Sequence, residues 1–311
     1  MNRPTPHEFE QAVQRLEQGR LVAFPTETVY GLGGDALNPR AIEAIFRLKG
    51  RPADHPLIAH VGSLEQAVRL AAVCPSPALE LMNRFWPGPL TVVLPKADVV
   101  PWELTGGQSS VAIRMPNHPI ALELLRRFSK PLAAPSANRY GRISPTTCAH
   151  VRAEFEGDDL PVLDGGECDI GIESTIVSLV AEPLLLRPGH IGLEALRAIL
   201  PDLRLAATHE GPRASGRTIS HYAPTTPLRL VQTLAHASHR DAVLAFTAKP
   251  ANHEGVWIHA PMDPRVYARH LYDWLHRLDA AGAHTIYVCQ VPQSPEWDAI
   301  ADRLSRASAG A

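Results

Sequence analysis

Between Thr208 and Pro227 the apolar rhythm of this chain stops, and that gap limits the possible fold more than any other feature. The stretch carries Gly211-Pro212, Ser215-Gly216 and Ala223-Pro224, pairs that favour turns over helices or strands. On either side of it, short apolar runs alternate with amphipathic helical stripes, the pattern of mixed α/β architecture. A chain of 311 residues also exceeds one typical domain. The sequence therefore predicts a larger α/β unit over 1–207, a linker or lid over 208–227 and a smaller α/β unit over 228–311.

In the first unit, helices are predicted over 7–18, 39–49, 63–72, 77–86, 118–128 and 146–156. The first has Phe9, Val13 and Leu16 on one stripe and stops at Gly19; the second starts at Pro39, turns Ile42, Ile45 and Phe46 inward and ends at Gly50, a left-handed terminator. Strand-like runs at 21–24, 57–61, 90–94, 111–115, 131–134, 175–180 and 184–187 complete a mixed, twisted sheet covered by helices. The second unit reads as strands at 228–231, 242–246, 256–260 and 284–291 with helices at 264–280 and 295–307. Tyr267, Leu271, Trp274 and Leu278 form an apolar stripe there, and the unit looks like a small doubly wound, Rossmann-like domain without a GxGxxG fingerprint.

Composition excludes several classes. With 45% hydrophobic and 20% charged residues the chain has material for real cores and too little charge for disorder. Met1 to Glu10 is polar and no later run is long enough to span a bilayer, so a cytoplasmic location without membrane attachment is expected. Cys74, Cys148, Cys168 and Cys289 lie far apart without CxxC spacing, which favours reduced thiols over zinc or redox chemistry. The histidines show no HExxH or similar spacing, so no protein metal site is expected. A net charge of −2 gives no bulk attraction for nucleic acid.

The chemistry concentrates in two short segments, Lys49-Gly50-Arg51-Pro52 and Pro135-Ser136-Ala137-Asn138. Lys49 and Arg51 flank a helix exit, where they are expected to project to one side and to repel each other unless an anion lies between them. A solvated helix end with two ordinary cations explains that segment equally well. Ser136 and Asn138 alternate on an extended stretch kept low by Ala133, Ala134 and Ala137, although Pro, Ser and Asn are also normal turn residues. Arg114 and Arg187 end strands, where open α/β folds collect ligands. Thr26, Thr28 and Tyr30 lie in a hydroxyl-rich turn, Glu173-Ser174-Thr175 precedes a strand, Ser144 reads equally as a helix cap, and His60 ends an apolar strand. No Ser-His-Asp order or pair of catalytic carboxylates stands out. Cations, hydroxyls and backbone suit phosphoryl or nucleotidyl transfer, where positioning and charge stabilisation dominate.

Taken in order, PTETVYGLGGDA at 25–36, KGRP at 49–52, PLIAHV at 56–61, WPGPLTVVL at 86–94, VAIRMPNHP at 111–119, PLAAPSANRYGRISPT at 131–146, GIESTIVSL at 171–179 and LLRPG at 185–189 closely resemble the YrdC-like family. His221-Tyr222-Ala223-Pro224 and the 297–304 segment resemble the linker and second-domain end of its two-domain branch, the L-threonylcarbamoyladenylate synthases. The resemblance implies condensation of L-threonine, bicarbonate and ATP to threonylcarbamoyl-AMP and pyrophosphate, feeding the machinery that makes threonylcarbamoyladenosine in tRNA. It implies that Lys49 and Arg51 are catalytic, and that they bind ATP with Ser136, Asn138, Ser144, Arg187 and Tyr222. It assigns Thr26, His60, Arg114 and Thr175 to threonine, and expects Mg2+ held mainly by ATP phosphates. Replacing Lys49 is then expected to weaken the transition state and leave folding intact. The segment Ser215 to Ser220 departs from the proline-glycine-methionine usual in the family. Two alternatives carry different signatures: an RNA-binding module on the same fold, whose affinity would fall steeply with salt, and a carbamoyl transferase needing carbamoyl phosphate. Direct tRNA binding stays open.

Overall fold

Strand pairing builds two sheets, one on each side of the turn-rich gap. The computed structural model describes residues 4–218 and 220–310; Met1–Arg3, Ile219 and Ala311, and with them part of the polar N-terminal run and one residue of the atypical linker, lie outside the described residues. The first sheet comprises β1 (Val22–Phe24), β2 (Gly31–Asp35), β3 (Ile58–His60), β4 (Leu90–Pro95), β5 (Ser110–Arg114), β6 (Leu132–Ala133), β7 (Thr175–Ser178), β8 (Leu184–Arg187) and β9 (Arg204–Leu205). Its spatial order is β1-β2-β6-β3-β5-β4-β7-β8-β9. The pairs β3/β5, β4/β7 and β8/β9 are parallel and the others antiparallel, so the sheet is mixed as expected. Around it lie α1 (Pro6–Glu17), α2 (Pro39–Lys49), α3 (Leu64–Leu70), α4 (Ser76–Phe85), α5 (Pro119–Phe128), α6 (Cys148–Glu154) and the short α7 (Leu193–Arg197).

Capping explains several of the helix ends. Thr5 and Glu8 form a reciprocal capping box at the start of α1, and Asn38 and Ser63 accept from backbone amides of α2 and α3. Gly50 closes α2 with a left-handed φ of 62°.

Three elements were not expected. α7 and β9 are short, and Gly31-Leu32-Gly33-Gly34-Asp35 has the poor strand propensity of a glycine-rich run. Packing explains the strand: a Cβ on Gly33 would come within 2.7 Å of the Phe24 ring on the antiparallel neighbour, so close approach of backbones demands glycine there.

The smaller sheet, ordered β10-β13-β11-β12, is parallel throughout. It is formed by β10 (Leu228–Val231), β11 (Ala242–Ala245), β12 (Trp257–His259) and β13 (Ile286–Cys289), with α8 (Pro264–Asp279) and α9 (Asp298–Ser308). Alternate strand residues Leu228, Leu244, Ile286 and Val288 pack with α8 and α9 in one apolar cluster. Val243, Ala245 and Tyr287 point the other way, toward Leu234 and Ala237 of the β10–β11 connection. The unit is thus Rossmann-like in its parallel sheet, with both described helices on one face and not one on each. Its core is continuous with the first unit, because Val29, Ile143, Ile172 and Tyr222 belong to the same cluster as α8 and α9. Among the described residues, no helix is long and apolar enough to cross a membrane.

Candidate active site

Sheet topology gathers the charged residues at one edge. In the parallel β3/β5 pair His60 is the register partner of Arg114. β4 begins beside the end of β5 and β7 begins beside the start of β4. Antiparallel β8 then returns Arg187 to the start of β7, where its partner is Ile176. The ends of β3, β5 and β8 therefore meet around one cavity. The cavity is lined by Thr26, Thr28, Arg51, His60, Arg114 and Ser136, with Glu173, Arg187, Ser215, His221 and Tyr222 closing it.

Each wall has a local cause. Thr26 folds the 25–30 turn on itself: its Oγ1 accepts from the amides of Thr28 at 3.1 Å and Val29 at 3.2 Å. Thr28 Oγ1 accepts from Arg114 Nη1 at 2.9 Å, while Glu27 pairs with Arg114 Nη2 at 2.7 Å. Arg114 is thus fixed by protein groups yet presents a face to the cavity. The 134–138 segment is threaded between two strands by Ala134 N to Ile58 O at 3.0 Å, Leu32 N to Pro135 O at 2.8 Å and Ala137 N to Tyr30 O at 2.8 Å.

Lys49 and Asn138 do meet, though not as two groups facing a ligand. Lys49 Nζ donates to Ser136 O at 2.6 Å and to Asn138 O, so the ammonium lies beneath the 135–138 segment, behind the cavity wall. The helix period explains this: Lys49 continues the buried stripe Ile42, Ile45, Phe46 and points inward. Arg51, past the Gly50 turn, faces the cavity instead. The two cations therefore do not project to one side as expected. Asn138 Nδ2 donates to Arg139 O at 2.8 Å and Arg142 O at 2.9 Å, bracing the following turn. Thr175 Oγ1 donates to Ile191 O at 3.0 Å and Ser144 Oγ donates to Glu173 Oε1 at 2.6 Å. Lys49, Asn138, Ser144 and Thr175 thus support the wall, whereas Thr26, Arg51, His60, Arg114, Ser136, Arg187 and Tyr222 line it.

The 208–227 segment crosses the opening as a strap. Arg51 Nη2 donates to Ser215 Oγ at 3.2 Å and Arg187 Nη1 to Ser215 O at 2.9 Å. Tyr222 takes a left-handed φ of 63°, and Tyr222 Oη and His221 Nδ1 find no hydrogen-bond partner among the described residues. Burial, and then the charge of Glu173, pushes the Tyr222 phenol up to about 12; burial pushes the imidazoles of His60 and His221 down to about 3. Burial lowers Arg51 to about 10, leaving it cationic at neutral pH. Burial also lowers Lys49, and the nearby Arg51 adds to that. Against the penalty of burial, Arg303, Arg187 and the Ser144 hydroxyl hold Glu173 down at about 2, ionised.

Glu27, Glu173, Ser215, His221 and Arg303 were not anticipated as part of this constellation. One signal was available for Arg303: it occupies a core position in the stripe Ala299, Ile300, Leu304, Ala307, where a charge demands a buried partner.

Among the described residues no cluster of three or more His, Cys, Asp or Glu side chains could hold a metal ion. The two carboxylates at the cavity are already paired, Glu27 with Arg114 and Glu173 with Arg303.

With this geometry in place, comparison with known proteins decides the family. A family model described as "Telomere recombination" matches residues 14–189, and one described as "Threonylcarbamoyl-AMP synthase, C-terminal domain" matches 191–309. The chain belongs to the two-domain threonylcarbamoyl-AMP synthase family. A threonylcarbamoyl-AMP synthase of Pyrococcus abyssi is 40% identical, over 94% of this chain and 92% of that protein. One from Bacillus subtilis is 38% identical, over 97% of this chain and 93% of its own length. The crystal structure of P. abyssi Sua5 complexed with L-threonine aligns with a TM-score of 0.89 at 37% identity, covering 99% of this chain and 96% of that one. The two family models meet near residue 190, ahead of β9, which still pairs with the first sheet.

Proposed function

We propose that this protein is an ATP-dependent threonylcarbamoyl-AMP synthase, a nucleotidyltransferase that joins L-threonine, bicarbonate and ATP into threonylcarbamoyl-AMP and pyrophosphate. The observation that carries the reading is one cavity holding three arginines, Arg51, Arg114 and Arg187, between the 135–138 segment and the strap, in a chain alignable over nearly its full length with synthases of that name.

Two steps follow from the chemistry. The neutral amine of threonine adds to bicarbonate with loss of water, giving a carbamate. A carbamate oxygen then attacks the α-phosphorus of ATP; the new O–P bond forms as the bond to the β-phosphate bridging oxygen breaks, and pyrophosphate leaves with that electron pair. Arg114 is placed to pair with the substrate carboxylate, helped by Thr26 and by neutral His60, which adds no competing charge. Arg51 and Arg187 offset charge on the phosphates as it shifts to the leaving group. Ser136 and the backbone beside it offer hydrogen bonds to the nucleotide. Lys49 contributes from behind, fixing the Ser136 and Asn138 carbonyls. Mg2+ is proposed to arrive with ATP, held by phosphate oxygens and water, since Glu27 and Glu173 are engaged by Arg114 and Arg303. The product would be consumed by a transferase acting on tRNA.

The test is ATP-dependent pyrophosphate release across the amino acids, with and without bicarbonate. Release dependent on both threonine and bicarbonate is expected. Release with neither, or none with both, would overturn the reading. Threonine is expected over serine by only about 10–200-fold, the worth of one methyl group.

A further inference from the structure

The second domain meets the site around one buried carboxylate, and α9 also holds the strap directly, Arg306 Nη1 donating to Thr218 O at 2.5 Å and Arg306 O accepting from His221 N at 3.3 Å. Glu173, just ahead of β7, accepts from Tyr272 Oη of α8 at 2.8 Å and from Arg303 Nε of α9 at 2.8 Å, while its other oxygen accepts from Ser144 at 2.6 Å. Arg303 is fully buried; its Nη1 is shared between Asp302 Oδ2 on its own helix at 2.7 Å and Pro188 O across the boundary at 3.0 Å, and its Nη2 reaches Glu173 O at 3.3 Å. Pro188 directly follows Arg187, whose own Nε donates to Ser174 O at 3.0 Å. The Arg303 guanidinium also lies 5.5 Å from the centre of the Tyr222 ring, which in turn sits 5.7 Å from the Tyr272 ring. His276, one turn along α8, places Nε2 3.3 Å from Ser144 O. The residues reached in this way, Ser144, Arg187 and Tyr222, are three of those assigned to the nucleotide. Of the residues assigned to threonine, Thr26, His60 and Arg114 share no hydrogen bond with the described residues of α8 or α9, and Thr175, two residues beyond Glu173, is tied to Ile191 O.

We propose that Arg303, seconded by Tyr272, is a positioning residue for the nucleotide half of the site: through Glu173, Pro188 and the Tyr222 ring it sets the places of Ser144, Arg187 and the strap. The inference rests on the synthase reading above. An ion pair kept only for stability is a poor use of buried charge, because desolvation offsets most of its attraction. A guanidinium that engages two carboxylates, two carbonyls and an aromatic face at once instead fixes geometry. The second domain then acts as a template for ATP.

The experiment compares Arg303→Met, Arg303→Lys and Tyr272→Phe in the full-length chain, measuring melting temperature and the KM for ATP and for threonine from pyrophosphate release. Arg303→Met is expected to raise the ATP KM at least about tenfold with the threonine KM within about threefold, and Arg303→Lys to recover part of it. Tyr272→Phe removes one donor while keeping the ring and the ion pair, so it carries the test where Arg303→Met does not fold; about a threefold rise in ATP KM is expected. A second readout is the pH profile. Glu173 is faced by Arg303 and Asp302 of α9, Tyr272 of α8, Arg187 of β8 and His221 and Tyr222 of the strap. Without the Arg303 charge, burial is opposed only by Arg187 and the Ser144 hydroxyl and the Glu173 pKa rises, so kcat/KM for ATP in the Met variant acquires an acid limb that wild type lacks. Folded variants whose ATP and threonine KM values move together, or stay within about twofold of wild type with an unchanged pH profile, overturn the proposal. Wild type without threonine-dependent turnover overturns the synthase reading instead.

Discussion

Lys49 shows how burial revises a role read from sequence alone. A surface lysine could be removed with loss of catalysis and no loss of fold; this one satisfies the carbonyls of Ser136 and Asn138 from below. Lys49→Met is therefore expected to cost about 2–4 kcal/mol in stability as well as raising the ATP KM, because two buried acceptors lose their donor. Denaturant titration checks it, and a variant with wild-type stability and lost turnover would return Lys49 to direct contact with the phosphates. The buried histidines set a pH dependence. His60 and His221 stay neutral in the fold with pKa values near 3, against an ordinary 6.5, so the unfolded chain takes up protons that the folded chain refuses. Their contribution is complete above about pH 6.5 and is lost as pH falls through 6.5 toward 3; at pH 5 each opposes folding by roughly 1–2 kcal/mol. Melting temperature should fall from pH 7.5 to 5, less so in His221→Asn, and a flat profile would contradict this placement of the imidazoles. At this scale the sequence disclosed which residue types matter. It could not disclose that Lys49 and Asn138 turn away from the cavity, since whether a side chain reaches a ligand or a carbonyl depends on a partner far along the chain.

Elements with strong local signals were legible. α2 runs from Pro39 to the left-handed Gly50 as the stripe and terminators dictate, and α8 keeps the Tyr267, Leu271, Trp274, Leu278 face. β2 was hidden because its residues resist the strand conformation on their own; contacts with β1 and β6 override that preference. The strap was legible as a break in pattern but not as a wall of the site, since its partners, Arg51, Pro56, Gln108, Arg187 and Arg306 among them, lie on distant segments. Gly216 is its tight point: φ is +78°, and an added Cβ would collide with Tyr222 Oη. Gly216→Ala is expected to cost about 1–2 kcal/mol locally and to raise the ATP KM by about tenfold with little change in global melting. Steady-state kinetics beside calorimetry would show it, and an unaltered ATP KM would remove the strap from nucleotide binding.

Across the whole molecule, the presence of two sheets could be read from the alternating apolar runs, but their union could not. It depends on Glu173 meeting Arg303 and Tyr272, on Ile143 and Ile172 entering the second core, and on the stacked His150 and His276 rings 4.1 Å apart. With a charged pair buried in the seam, separating the units would strand both charges, so calorimetry of the full chain should show one cooperative transition. Two resolved transitions would mean that the seam holds little. The arginine-lined cavity is proposed to join a carbamate of threonine to adenylate. The most direct measurement is mass spectrometry of the product formed from ATP, L-threonine and 13C-bicarbonate. Threonylcarbamoyl-AMP carrying the 13C label is expected, in equal amount to the pyrophosphate released; pyrophosphate accompanied by unlabelled threonyl-AMP, or by AMP alone, would rule out carbamate adenylation.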